Sequence, residues 1–235
     1  MRYDFKKGKQ SIENILSSNI DVEESDKIPM ADAEWTYANG IKSWVGAIFI
    51  DLRGSTRFFE SSDSINVAKV IRAYSSEIIQ IMNTTTLNRE IGIRGDSVFG
   101  IYSVSLQQHV NEVFNIACYL NTHMIMLNKL LIKYGYSTVK AGIGYAISKD
   151  LIIKVGKKGT GINDRVWIGE SLCKADRLSK ITNKGTNPIA ISSTVFQNLS
   201  QDNRNHFLYS KSNDCYYGDL VINEYNNWIK EGMKL

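Results

Sequence analysis

The order of patterned segments along the chain predicts an α+β fold of the ferredoxin-like, split βαβ kind: a two-layer sandwich with helices on one face of a mixed or antiparallel sheet. Three observations predict it. The continuous apolar run Val45 to Ile50 has the length of a buried central strand and is followed directly by a segment with helical spacing. Two short β-prone runs then flank Arg94-Gly95-Asp96, a strong local hairpin signal. A long second helical pattern and a further strand complete the order β, α, β-hairpin, α, β, with additions at the C-terminal end.

Each element has its own warrant. Residues 1–43 read as an N-terminal arm and linker, with Ile12 and Ile15 in a short helical pattern and a polar stretch from Asp21 to Asp26. Trp35, Tyr37 and Trp44 cluster around Asn39-Gly40, and core packing is the expectation for Trp44. Residues 44–235 form the domain proper. Val67, Val70, Ile71, Tyr74, Ile78 and Ile81 recur at intervals of three and four, which makes the first helix amphipathic. The hairpin strands are Arg89 to Ile93 and Ser97 to Ser103, with Asp96 at the tip. Val113, Ala117, Leu120, Met124, Leu127 and Leu131 line one stripe of the second helix, which stops before Gly135. Thr138 to Ile147 is a strand whose Gly142 and Gly144 mark a close backbone approach. Leu151 to Val155 and Val166 to Gly169 continue the sheet, Glu170 to Ile181 is a third helix, and Ile189 to Ser192 is another short strand.

Composition bounds the rest. A length of 235 residues suits one globular domain with extensions, and 43% apolar with 22% charged residues excludes a disordered or collagen-like chain. No apolar run approaches the ~18 residues of a membrane span, and no secretory signal is visible, so the expectation is a cytoplasmic protein with no membrane partner. Cys118, Cys173 and Cys215 are odd in number and lack a paired CxxC spacing, which argues for reduced thiols and against zinc. The net charge of +4 is scattered and favours an anionic partner only weakly.

Chemistry concentrates at two carboxylates. Asp51 ends the buried first strand, Asp96 occupies the hairpin tip, and the split βαβ plan lays that strand beside the hairpin. Paired hard oxygen ligands, too few for a closed calcium cage, suit Mg²⁺ or Mn²⁺ with open positions for phosphate oxygens. Directly after Asp51, the turn Arg53-Gly54-Ser55-Thr56 opens a helix whose free N–H groups and dipole accept phosphate. Arg177 on the third helix could stabilise charge on a transferring phosphorus, or could be a solvated arginine paired with Asp176 or Glu170.

These motifs, Phe49-Ile-Asp51-Leu-Arg-Gly54-Ser-Thr56, Arg94-Gly-Asp96-Ser and Gly169-Glu-Ser-Leu-Cys-Lys-Ala175-Asp-Arg177, resemble those of the class III nucleotidyl cyclases over roughly residues 44–199. The resemblance implies that Asp51 and Asp96 ligate two metal ions, Mn²⁺ or Mg²⁺, with the backbone carbonyl of Leu52 completing one of them. It also implies a head-to-tail homodimer in which Arg177 reaches the other protomer's site. The chain departs from the family pattern in having Cys173 at the transition-state asparagine position, and Gly92 and Val166 at the two purine-reading positions.

Those departures, the Arg-Gly-Asp hairpin and the stretch Trp35-Thr-Tyr-Ala-Asn-Gly-Ile-Lys42 resemble the Pycsar pyrimidine cyclases of bacterial antiphage defence, which make cyclic UMP or cyclic CMP from UTP or CTP. That resemblance implies a lyase feeding an effector only indirectly, with Arg94 and Tyr37 as candidates for contact with the base. A phosphate lysine is expected, with Lys211, Lys157, Lys158 and Lys184 as candidates. Alternatives are an adenylate or guanylate cyclase with an altered base pocket, an inactive nucleotide-binding regulatory domain, and a ferredoxin-like nucleic-acid binder. The last leaves the Asp51/Asp96 pairing unexplained, and no nucleic-acid partner is expected.

Overall fold

A computed structural model describes residues 3–55, 63–157, 160–182 and 187–234. The chain divides into two compact units, Met1–Ser43 with Leu151–Ile168, and Trp44–Asp150 with Gly169–Leu235.

In the first unit, helix α1 (Phe5–Leu16) starts where the Asp4 carboxylate accepts the Lys6 and Lys7 N–H groups, each at 3.1 Å. Strand β1 (Asp21–Glu24) pairs in parallel with the opening residues of β2 (Asn39–Leu52), Asp21 facing Asn39 and Glu24 facing Lys42. The Asn39 side chain ties the preceding turn: its carbonyl accepts from the Thr36 N–H and hydroxyl, and its amide donates to the Glu34 carbonyl. The later part of β5 (Ala141–Gly156) forms an antiparallel hairpin with β6 (Asn163–Ile168), from Leu151 opposite Ile168 to Gly156 opposite Asn163. Ile28, Trp35, Ile41 and Ile152 are buried in this unit.

In the second unit, β2 passes between β4 (Ser97–Ser103) and β5, and β3 (Asn88–Arg94) closes one edge through its hairpin with β4. On the other side β7 (Ile189–Ile191) runs parallel to β5 and is followed by β9 (Cys215–Gly218) and β8 (Leu208–Ser210). Helices α2 (Ser64–Met82) and α3 (Gln107–Lys133) cover one face. Val70, Tyr74, Ile78 and Met82 of α2, with Val113, Phe114 and Leu120 of α3, meet Ile48, Ile50, Tyr102, Ile143 and Tyr145 in the main core. The predicted α2 and α3 stripes are the buried ones.

The expectation of helices on one face only is corrected by α4 (Ser171–Thr182). Strand residues alternate between faces, so Ala47, Phe49, Ala146 and Ala190 point away from the main core, and there they meet Ala175 and Leu178 of α4. The helix comes so close that a Cβ on Gly142 would lie 2.1 Å from the Ser179 carbonyl oxygen, and one on Gly144 2.0 Å from that of Ala175. The close approach expected at these two glycines is the α4 backbone.

The C-terminal part continues with α5 (Ser193–Asn198), α6 (Gln201–Arg204) and α7 (Asn223–Lys230). Asn121 of α3 donates to the Asp219 carboxylate and the Leu220 carbonyl at 2.8 Å, and Lys129 donates to the Ile229 carbonyl at 3.0 Å, so the tail is strapped to α3. Two further expectations are corrected. Trp44 is 38% exposed, and the buried tryptophan is Trp35. The strand expected to end at Ile147 continues unbroken to Gly156. Among the described residues no helix is long and apolar enough to cross a membrane, and all three cysteines are free thiols, with only Cys173 exposed.

Candidate functional site

Asp51 stands at the end of β2, on the face that carries Ala47 and Phe49. The β2–β4 ladder pairs Ile50 with Val98, and one residue further the Ser97 hydroxyl donates to Asp51 Oδ1. Gly95, at φ +63°, makes the tight turn that sets Asp96 directly before Ser97. The Asp51 carboxyl lies above the usual carboxylate range, first because it is half-buried and further because Asp96 faces it; the Ser97 hydrogen bond and Lys180 act in the opposite direction. Tyr74 lies beneath, its hydroxyl donating to the Ile50 carbonyl at 3.2 Å. Burial raises that phenol well above its ordinary value, and the charges of Asp51 and Asp96 both raise it further. The two carboxylates thus converge on one end of the sheet.

This pair suits a divalent cation. The ionised form of Asp51 is penalised by burial and by the charge of Asp96, which a bound cation would relieve. Among the described residues no group of three or more His, Cys, Asp or Glu side chains could hold a metal ion. Leu52 anchors the backbone after Asp51, its side chain buried in the main core.

The turn after Asp51 is held open by Gly54 at φ +66°, with free space where a Cβ would project. Its amides are not all available. The Arg53 N–H donates to the Lys140 carbonyl at 2.7 Å, and the Arg53 guanidinium donates to the Thr182 carbonyl at the end of α4. Arg53 therefore braces the turn against α4. Thr56 lies outside the described residues.

Helix α4 is seated by a buried bracket. Asp150, fully buried, accepts hydrogen bonds from the Ser148 and Ser171 hydroxyls, and its carboxylate fills the space where a Cβ on Gly169 would sit. On the outer face of α4, Cys173, Arg177 and Lys180 are exposed at a spacing of four and three residues, one helical stripe. The expected alternative of Arg177 paired with Asp176 is corrected: Asp176 is taken by Lys180 at 2.7 Å, and Arg177 makes no ion pair among the described residues. Lys180, whose charge reaches Asp51, was missed by sequence reasoning, although its place one turn beyond Arg177 was the available signal.

Arg94, exposed on β3, pairs across the hairpin with Ser97 and so shares the Asp51 face. Tyr37 belongs to the first unit, where it is 41% exposed beside Ser11, Ile15 and Ala38. Lys157 of that unit donates to the Ser11 hydroxyl at 3.3 Å. Lys211 is exposed in the turn between β8 and β9; Lys158 and Lys184 lie outside the described residues. Val166 pairs with Ile153 in the first unit's hairpin, and Gly92 pairs with Phe99.

No family model matches the chain. It is 44% identical over 238 residues to the uridylate cyclase of Treponema porcinum, covering 99% of this chain and 83% of that protein. It is 30% identical over 251 residues to the uridylate cyclase of Gulbenkiania mobilis, covering 97% and 96%. Among solved structures it resembles a class III adenylyl cyclase-like ATP-binding protein from Pseudomonas aeruginosa, with a TM-score of 0.71, 17% identity and 95% of this chain covered; the chain spans 48% of that one. It also resembles the guanylyl cyclase Cya2, with a TM-score of 0.63, 17% identity, and 80% of this chain and 97% of that one covered. These structural likenesses bear out the expected α+β fold.

Proposed function

Because the chain belongs to the uridylate cyclase family of class III nucleotidyl cyclases, we propose that it converts UTP, or CTP, to the 3′,5′-cyclic monophosphate and pyrophosphate. The observation that carries the reading is the convergence of Asp51 and Asp96 beside Ser97 at the end of the sheet, next to an open Gly54 turn. The ribose O3′–Pα bond forms as the bond from Pα to pyrophosphate breaks, and the hydroxyl proton is released.

Each residue has a part. Asp51, Asp96 and the Leu52 carbonyl would hold two Mn²⁺ or Mg²⁺ ions, which when bound activate the 3′-hydroxyl and neutralise phosphate charge. Ser97 orients Asp51 through its hydrogen bond. Gly54 and Ser55 offer N–H groups to the triphosphate, and Thr56 is a further candidate read from the sequence. Arg94 faces the same side and contacts the base or a phosphate. Arg177, exposed and without an ion pair among the described residues, extends to the site of a second copy and offsets charge at phosphorus, which makes a homodimer the working unit. The cyclic nucleotide would act as a second messenger for an antiphage effector in the cytoplasm, as the Pycsar resemblance implies.

The test is incubation of the purified chain with each of the four ribonucleoside triphosphates, with Mn²⁺ or with EDTA, and identification of products by mass spectrometry. Metal-dependent cyclic UMP or cyclic CMP is the expected result. Cyclic AMP or cyclic GMP alone, or no product at all, refutes the reading.

A further inference from the structure

Three cross-strand rows stack along the face that carries Asp51. The outermost joins Asp51, Ser97 and Arg94; the next joins Phe49, Phe99 and Gly92; the one beyond joins Ala47 and Ile101, both fully buried, to the partly buried Glu90 on the edge strand. Successive rows on one face are two residues apart, about 7 Å along the strand. A nucleotide whose phosphates rest at the Gly54 turn and the carboxylate row meets the second row first as its base runs up the sheet, and beyond it the third row is closed at Ala47 and Ile101.

In that second row Gly92 contributes no side chain, and its place is taken. The Phe99 ring lies across it so fully that a Cβ on Gly92 would stand 2.2 Å from Phe99 Cζ and 2.4 Å from Cε1. On its other side Phe99 stacks on Phe49, with centroids 5.2 Å apart and planes 17° from parallel. Phe49 is packed beneath α4 with Ala175 and Leu178, so the stack cannot slide inward, whereas Phe99 itself is only partly buried. Phe99 is therefore a braced aromatic wall with one side toward solvent, one row from the carboxylates, filling the room that a residue on the edge strand would otherwise leave.

Resting on the cyclase reading above, we propose that Phe99 is a specificity-determining residue: its ring, laid over Gly92 and buttressed by Phe49, shortens the base site so that a single-ring base fits and a two-ring base does not. The discrimination is steric, and no hydrogen bond from β3 is required.

The experiment compares wild type, Phe99→Ala and Phe99→Leu, each checked for folding by thermal melting. Turnover of UTP, CTP, ATP and GTP with Mn²⁺ is measured. Separately, titration calorimetry gives the affinities of 3′-deoxy-UTP and 3′-deoxy-ATP, which lack the attacking hydroxyl and report binding alone. Shortening the wall should narrow the pyrimidine-to-purine ratio about tenfold or more in both readouts, chiefly by admitting the purine, with Phe99→Leu intermediate. If Phe99→Ala is unfolded at the assay temperature, Phe99→Leu carries the comparison. A folded variant that keeps the wild-type ratio in binding and turnover overturns the role of Phe99 while leaving the cyclase reading intact. A wild type that makes no cyclic pyrimidine nucleotide overturns that reading instead.

Discussion

A single methyl group at Gly144 should unseat the helix that carries Arg177. The added Cβ would stand 2.0 Å from the Ala175 carbonyl oxygen and 2.5 Å from the Ser179 nitrogen, where ordinary contact begins at 3.4 Å. Both neighbours are backbone, so no side chain can swing away, and α4 must retreat from the sheet by about 1.4 Å. Overpacking of this kind costs about 2 kcal/mol, which for a chain of this length lowers Tm by about 4–8 °C. The larger effect should fall on turnover, because a displacement of about 1 Å at a reacting geometry costs about a hundredfold. Gly135→Ala is the control: its φ of +78° strains an L side chain, but it has free space around it and lies away from α4, so it should lose stability and keep activity. Thermal melts and steady-state rates of cyclic nucleotide formation read both quantities. A folded Gly144→Ala protein with wild-type Tm and turnover would refute the seating of α4 on bare backbone.

Other outcomes follow from the same site. Asp51→Asn and Arg177→Ala should each be inactive alone, and an equimolar mixture should recover activity by pairing an intact carboxylate site with an intact arginine; a silent mixture of folded proteins would rule out action across protomers. Ser97→Ala removes the hydrogen bond that orients Asp51 and should lower turnover about tenfold, given the worth of a bond to a charged group; unchanged rates would show that Asp51 needs no such support. Burial of His123 in α3 pushes its imidazole down to about 4. Below about pH 6.5 the unfolded chain takes up a proton that the folded chain refuses until about pH 4, so stability should fall as pH drops, by at most about 1.4 kcal/mol per unit. Urea midpoints at pH 7 and pH 5 should converge in His123→Gln, and an equal pH slope in both proteins would exclude His123 as its source.

The parts of the fold that were legible in the sequence are those where periodicity and burial coincide. The Val70, Tyr74, Ile78 stripe could bury only one face, and Gly95-Asp96 between two β-prone runs could only turn. The seat of α4 was legible only in part: Gly142 and Gly144 signalled a close approach, but Ala47 and Ala190 act by being small, smallness has no period, and nothing in it names α4 as the partner. Strand β5 was read as two pieces because Ser148-Lys149-Asp150 looks like a loop, yet Asp150 is buried and held by two hydroxyls, and the strand runs on through it. The carboxylate pair was legible from topology. That Arg53 would turn back to the Thr182 carbonyl, and that Lys180 would face Asp51, depend on where α4 lies and so could not be read from spacing.

The first unit is built from two stretches far apart in the chain, and this bears on how the protein can be shortened. Residues 1–43 look like a removable leader, but they supply the opening of β2, where Gly40 packs against Ile153 and Val22. An expression fragment starting at Trp44 would keep the 151–168 hairpin and strip away its neighbour, leaving Ile152, now fully buried, beside a bare strand edge. Such an edge pairs with other chains, so trimming this protein to its larger unit would favour aggregation unless the hairpin is shortened with it.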